Sequence, residues 1–255
     1  MADLPVNRFK AGLKAGTCQI GLWTALPGTV PIEILSGCGF DWLVLDTEHA
    51  PSDPLTVLPQ LQTLVPHEVA PVVRPAWNDK VLIKRFLDIG AQTLLVPYVQ
   101  TREEAEAAVA AMRYPPRGIR GVAGSVRASA YGQVPDYILR AEEELCLIVQ
   151  VETAEALARL PEIASVDGVD AVFIGPADLS ASMGHPGDQM HPEVIAAIEG
   201  AIRTLVGIGV PAGILTGGDF ARRCIDLGAL FVAVGSDAGV MAKGARELAA
   251  SFKNN

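Results

Sequence analysis

Cysteine is sparse in this chain and never clustered. Cys18, Cys38, Cys146 and Cys224 stand alone among 255 residues, with no CxxC pair. That excludes a cysteine-built zinc site. Because the N-terminal segment shows no secretion-signal pattern, free thiols in a reducing, cytoplasmic setting are expected. Long apolar runs are also lacking: none approaches the roughly 18 residues a membrane span needs. Basic charge is in deficit, with 20 Lys and Arg against 29 Asp and Glu and a net charge of −9. A nucleic-acid partner is therefore not expected, since it would need a basic footprint. Charged residues make up only 19% of the chain while hydrophobic residues make up 50%, which excludes disorder and suits a well-buried α/β domain.

What is present is alternation. Short apolar runs read as strands at Cys18–Trp23, Trp42–Leu45, Val69–Val73, Thr93–Val96, Leu147–Val151, Ala171–Ile174, Ala212–Leu215 and Leu230–Val234. Helical patterns lie between them, at Thr29–Ser36, Pro54–Val65, Asp79–Ile89, Arg102–Met112, Pro135–Glu144, Ala154–Ala164, Pro192–Ile208 and Asp219–Leu227. A last helix is expected over Val240–Phe252, and a short one within Asp3–Ala15 that could cap one end of the fold. Near-continuous apolar strands signify a parallel sheet buried on both faces. Eight of them alternating with helices predict a single-domain (β/α)8 TIM barrel, for which ~250 residues is typical. Glycines at 37, 39, 90, 209 and 228 fall where helix C-caps would. Residues 113–133 break the rhythm with a Gly-, Pro- and Arg-rich stretch, expected to be a functional or assembly loop.

In such a barrel the residues just beyond each strand converge on one rim, where chemistry resides. Those residues are Trp23, the run Asp46-Thr47-Glu48-His49, Arg74, Gln150 and Glu152, Asp178, Leu215, and Asp237. Glu152 and Asp178 are candidate ligands of one hard divalent cation; each could instead cap the helix that follows it. His49 is a candidate base, with Asp46 three residues earlier to orient it. Arg74 suits an oxyanion, or an ion pair with Asp46 or Glu48. Gly175-Pro176-Ala177-Asp178 offers amides at a helix start for an anion. Trp23 and Leu215 suit an apolar wall, or simple core packing. None of the chain's lysines directly follows a strand, so a Schiff-base mechanism is not expected and electrophilic help would come from a metal or from Arg.

The segments Phe40–His49, Val149–Thr153 and Ile174–Ser180 together resemble the HpcH/HpaI aldolase family, and the likeness extends over nearly the whole chain. That resemblance implies a class II aldolase joining a 2-oxo acid such as pyruvate or hydroxypyruvate to an aldehyde, with one Mg²⁺, Mn²⁺ or Co²⁺ per subunit. It implies His49 as proton acceptor, Arg74 as enolate stabiliser, Gln150 and Ala177 as substrate contacts, Glu152 and Asp178 as metal ligands, and Leu215 at the aldehyde pocket. It also places an acid tuning the histidine at Asp88. The predicted topology puts that residue nearer the opposite rim, so Asp46 stands beside it as the alternative. A homohexamer that exchanges C-terminal helices is implied as well. Related citrate-lyase-like or malyl-CoA-lyase-like barrels acting on CoA thioesters are one rival reading, and a non-catalytic keto-acid-binding barrel is another.

Overall fold

The computed structural model of the chain describes residues 2–253. Eight parallel strands close on themselves in sequence order. They are β1 (Gln19–Thr24), β2 (Trp42–Asp46), β3 (Ala70–Arg74), β4 (Thr93–Val96), β5 (Cys146–Val151), β6 (Ala171–Ile174), β7 (Ala212–Leu215) and β8 (Phe231–Ser236). The helices are α1 (Arg8–Lys14), α2 (Val30–Ser36), α3 (Pro54–Leu64), α4 (Lys80–Asp88), α5 (Arg102–Met112), α6 (Tyr137–Arg140), α7 (Ala154–Ala158), α8 (Leu160–Ala164), α9 (Pro176–Ser182), α10 (Pro192–Gly207), α11 (Gly218–Asp226) and α12 (Asp237–Lys253). The expected (β/α)8 barrel is the observed fold.

Strand side chains alternate between two apolar layers, because successive Cβ atoms point to opposite faces. Val44, Val72, Ile148, Phe173 and Phe231 join Trp23 and Trp42 inside the barrel. Their neighbours Leu45, Val73, Val149, Ile174 and Val232 face the helices. Two glycines admit the large interior rings. A Cβ on Gly21 would stand 2.3 Å from the Trp42 ring, and one on Gly213 would stand 2.1 Å from Phe231. The N-terminal end is plugged by α1, whose Phe9 packs edge-on against Trp42 and Phe231 at 5.5 Å. The expected cap is thus present. Asn7 locks it by donating from Nδ2 to Thr93 Oγ1 at 2.9 Å and to the Glu144 carbonyl at 2.9 Å.

Several expected helices differ in detail. The Ala154–Ala164 pattern forms two short helices, because Pro161 has no N–H to continue the first one. Pro135–Glu144 shrinks to α6 and a 3₁₀ turn at Ala141–Glu143, since Asp136 is left-handed. The last helix starts at Asp237, earlier than expected. The loop at 113–133 contains a 3₁₀ segment, Arg127–Gly132. No helix among the described residues is long and apolar enough to cross a membrane.

Substituting Gly213→Ala should place a methyl inside the Phe231 ring. Overpacking of this kind costs about 1–3 kcal/mol, and a lowered unfolding midpoint in thermal or denaturant scans measures it. An unchanged midpoint would contradict the interior packing described.

Candidate active site

The alternation that fills the barrel also aims the polar residues at its mouth. Two positions beyond interior Val44 comes Asp46, and two beyond Val72 comes Arg74. These are direct register partners at the ends of β2 and β3. Two beyond Ile148 comes Gln150, then Glu152; two beyond Phe173 comes Gly175; two beyond Gly213 comes Leu215. The chemistry-bearing ends of five strands thus face one opening, as the sequence suggested.

At its centre lies a buried ionic knot. Arg74 donates from Nε to Asp46 Oδ1 at 2.8 Å and from Nη2 to Oδ2 at 2.7 Å, a bidentate pair. Its Nη1 stands 2.7 Å from Glu48 Oε2 in ion contact, off the hydrogen-bonding direction. The guanidinium also lies over the Trp23 ring, 4.6 Å from its centroid, and the Trp23 indole donates to Asp46 Oδ2 at 3.2 Å. Burial acts to raise the Asp46 pKa. The hydrogen bond and charge of Arg74 outweigh it, with the Glu48 amide and Trp23 indole, so the carboxyl is held below its ordinary value. Of the alternatives for Arg74, the ion pair with both acids is present. Trp23 packs on Phe173 at 5.5 Å, and Leu215 borders the same interior cluster.

The expectation that Asp46 orients His49 is corrected by this arrangement, because the Asp46 carboxylate is committed to Arg74 and Trp23. The acid facing His49 is Glu48, with Oε1 3.8 Å from Nε2. The imidazole itself is 68% exposed in the β2–α3 loop. The sequence places Glu48 on the rim and offers it as a possible partner of Arg74, but does not mark it as the companion of His49. Its parity with Asp46 was the signal that could have marked it as mouth-facing. Asp88 ends α4 on the opposite rim, where Arg120 donates to it at 2.8 Å. Within one chain it does not reach His49.

Glu152 is buried, and its two oxygens are fixed by different elements. The Tyr98 amide donates to Oε1 at 2.8 Å, and Gln150 Nε2 donates to Oε2 at 2.6 Å. Tyr98 holds that amide in place with a left-handed φ of 54°; a backbone donor of this kind carries no sequence signal. The helix-cap role offered as the alternative for Glu152 belongs to Thr153, whose hydroxyl accepts from the Ala156 amide at 3.1 Å. Burial raises the Glu152 pKa most, against the Tyr98 amide. The nearby charges of Asp178 and Glu48 raise it further, to about 7. Glu48 is likewise raised, first by burial and in part by Asp46 and Asp178, despite Arg74 and His49. The acids at 48, 152 and 178 therefore share one electrostatic environment. Neither Glu152 nor Asp178 has an ion-pair partner among the described residues.

Gly175 lets β6 pass against Glu152. A Cβ there would meet Glu152 Oε2 at 2.6 Å and Gln150 Nε2 at 2.9 Å. Immediately afterwards α9 begins, with Gly175 as N-cap, Pro176 buried, and Ala177 and Asp178 exposed in its first turn. Directly after β8, Asp237 at the start of α12 accepts from the Ala25 amide at 2.9 Å and the Leu26 amide at 3.1 Å, tying the loop after β1 to the barrel's closing seam. A cavity of about 540 Å³ lies at the other end, bounded by residues such as Leu4, Ala70, Gln92 and Tyr131. It holds none of the strand-end residues, so charge and convergence locate the site better than cavity size.

A closed parallel barrel with acids and one buried arginine converging at the C-terminal mouth defines an α/β-barrel enzyme. The sequence profile of the family described as HpcH/HpaI aldolase/citrate lyase matches residues 19–244. Over 251 residues the chain is 63% identical to a pyruvate aldolase of Rhizobium etli, covering 98% of this chain and 99% of that one. It is 57% identical over 251 residues to the 4-hydroxy-2-oxo-heptane-1,7-dioate aldolase of Klebsiella pneumoniae, covering 98% and 95%. The crystal structure of an HpcH/HpaI aldolase/citrate lyase family protein from Burkholderia cenocepacia superposes with a TM-score of 0.93 at 37% identity, covering 97% of this chain and all of that one. The chain belongs to the HpcH/HpaI aldolase/citrate lyase family and is an aldolase, a carbon–carbon lyase.

The Glu152 shift has a measurable consequence without any ligand. Between its ordinary 4.5 and about 7 the folded chain holds a proton there that the unfolded chain has lost. Stability from this group therefore falls as pH rises through that window. Glu152→Gln cannot titrate, so the stability of this variant relative to wild type should rise from about pH 5 to about pH 8 in denaturant unfolding of chelator-treated protein. A pH-independent difference would contradict the assignment.

Proposed function

We propose that this chain is a divalent-metal-dependent class II aldolase. It would reversibly cleave and form the bond between a 2-oxo acid, pyruvate or hydroxypyruvate, and an aldehyde. The observation that carries the reading is Glu152: a buried carboxyl beside two other acids, with no cation of its own. The residues fit a hard ion. The donor set is all oxygen, Gln150 Oε1 is buried without a partner, and Gly175 keeps the space against Glu152 clear. Glu152 and Asp178 would hold the ion, with Mg²⁺, Mn²⁺ and Co²⁺ all compatible with such a set. When bound, it supplies Lewis-acid polarisation of the 2-oxo acid.

The chain's own residues do the rest. The amides opening α9 at Ala177 and Asp178 bind the carboxylate, and Gln150 contacts the substrate. Arg74, held rigid by Asp46, Glu48 and Trp23, presents fixed positive charge where enolate charge develops, so no reorganisation is needed at the moment of reaction. In the forming direction His49 takes the proton from C3 and delivers it to the alkoxide left by C–C bond formation; in cleavage it takes the hydroxyl proton and returns it to C3. Leu215 and Trp23 border the aldehyde side. Asp88, tied to Arg120 on the far rim, would tune a histidine only across a subunit boundary.

The exposed face of α12 supports that last point. From Gly239 to Lys253 every residue of α12 is exposed, including Val240, Met241, Leu248 and Phe252. Val30 and Ile34 of α2 are exposed as well. Such an apolar stripe signifies a partner, and exchange of α12 between barrels in a homo-oligomer, a hexamer by family resemblance, covers it. Met241→Asp should shift the particle to smaller mass in light scattering; an unchanged mass would refute the exchange.

Glu152→Ala and Asp178→Ala should abolish metal-restored turnover after chelation. Arg74→Ala should lower kcat by roughly 100- to 1,000-fold. Deuterium exchange at C3 of pyruvate isolates the enolisation step. Exchange persisting in Glu152→Ala would sink the proposal, while tight binding of the keto acid without deuterium exchange at C3 of pyruvate would favour keto-acid binding alone. Including CoA thioesters in the substrate panel separates the lyase alternative.

A further inference from the structure

The loop joining α9 to α10 carries a cluster that the mouth chemistry does not use. His185, His191 and Glu193 bring one ligand atom each within 4.8 Å of one another. Among the described residues this is the group of three or more His, Cys, Asp or Glu side chains that converges so closely. The two imidazoles stack with centroids 3.5 Å apart and planes 15° from parallel. His185 Nε2 lies 3.0 Å from Glu193 Oε2. The group is held from both sides. The His185 amide is bonded to the Ser180 carbonyl at 2.8 Å at the end of α9. His191 and Glu193 form the start of α10, and the loop bonds Asp188 to His185 and His191 to Asp188 through the backbone.

We infer that His185, His191 and Glu193 form a second metal site, chemically distinct from the oxygen-rich mouth, for a borderline divalent transition ion of the zinc, cobalt or nickel class. Two imidazoles and a carboxylate are the donors such ions prefer, and Mg²⁺ disfavours them. A tetrahedral zinc with bonds near 2.0–2.1 Å keeps ligand atoms about 3.4 Å apart. The Glu193–His185 separation already lies near that value, and the His191 ring has to turn out of its stack on His185 for its lone pair to meet the same point. Three protein ligands leave the fourth position to water. One competing demand falls on His191, whose Nδ1 accepts the Glu193 amide at 3.3 Å as the N-cap of α10. A metal on Nδ1 takes that lone pair, and a metal on Nε2 leaves the proton on Nδ1. Either way binding exchanges a long cap bond for a coordinate bond.

The carboxylates of the mouth and the exposed thiols Cys18 and Cys38 are the other places a zinc ion could lodge, so the test separates them by substitution. Chelator-stripped protein is dialysed against Zn²⁺ or Mg²⁺, and bound metal is measured for wild type, His185→Ala and Glu193→Gln. Wild type should take up one equivalent more of Zn²⁺ than of Mg²⁺, and each variant should lose that extra equivalent. Co²⁺ should give intense tetrahedral visible bands in wild type that both variants lack. Mg²⁺-supported turnover of the variants reports that they remain folded. Zinc uptake equal to magnesium uptake in wild type, extra uptake that survives both substitutions, or a purely octahedral Co²⁺ spectrum would each overturn the inference.

Discussion

The mouth of this barrel is governed by an imbalance of charge. Asp46, Glu48, Glu152 and Asp178 crowd one opening, and a single guanidinium, Arg74, answers two of them. Removing charges from water is costly unless they are paired. Asp46 has its partner and is held ionised. Glu152 has only an amide and a side-chain amide as donors, and its pKa climbs to about 7. A group left in that condition is a poor structural element and a good cation ligand, and the surrounding structure follows from keeping it so.

The barrel supplies the means. Alternation along each strand sends every second residue inward, first as packing and then, at the last turn of the strand, as chemistry. Val44 leads to Asp46, Val72 to Arg74 and Ile148 to Gln150. Because β2 and β3 pair Asp46 directly with Arg74, their bidentate contact is set by register. Glycine does the opposite service: Gly213 and Gly21 make room for aromatic rings inside, and Gly175 makes room beside Glu152. From Gly239 to Lys253 α12 leaves its residues exposed, Val240, Met241, Leu248 and Phe252 among them, so the single chain does not cover this apolar face.

Much of this was legible in the chain itself. Eight apolar runs separated by helical patterns determine a parallel barrel, because buried parallel strands need apolar residues on both faces and helices to cover them. The residues following those runs determine the inventory of the site, since the fold has one functional rim. Tertiary structure alone decided the pairing within that inventory. Spacing made Asp46 look like the companion of His49, but strand register delivered it to Arg74 and left Glu48 facing the imidazole. Glu152 could have capped a helix until Thr153 was seen to do so. The Tyr98 amide, the Gly175 clearance and the meeting of His185 with His191 depend on backbone paths that no residue type announces. A sequence lists which groups reach the rim. Which group touches which is settled by angles and distances that exist only once the chain has closed.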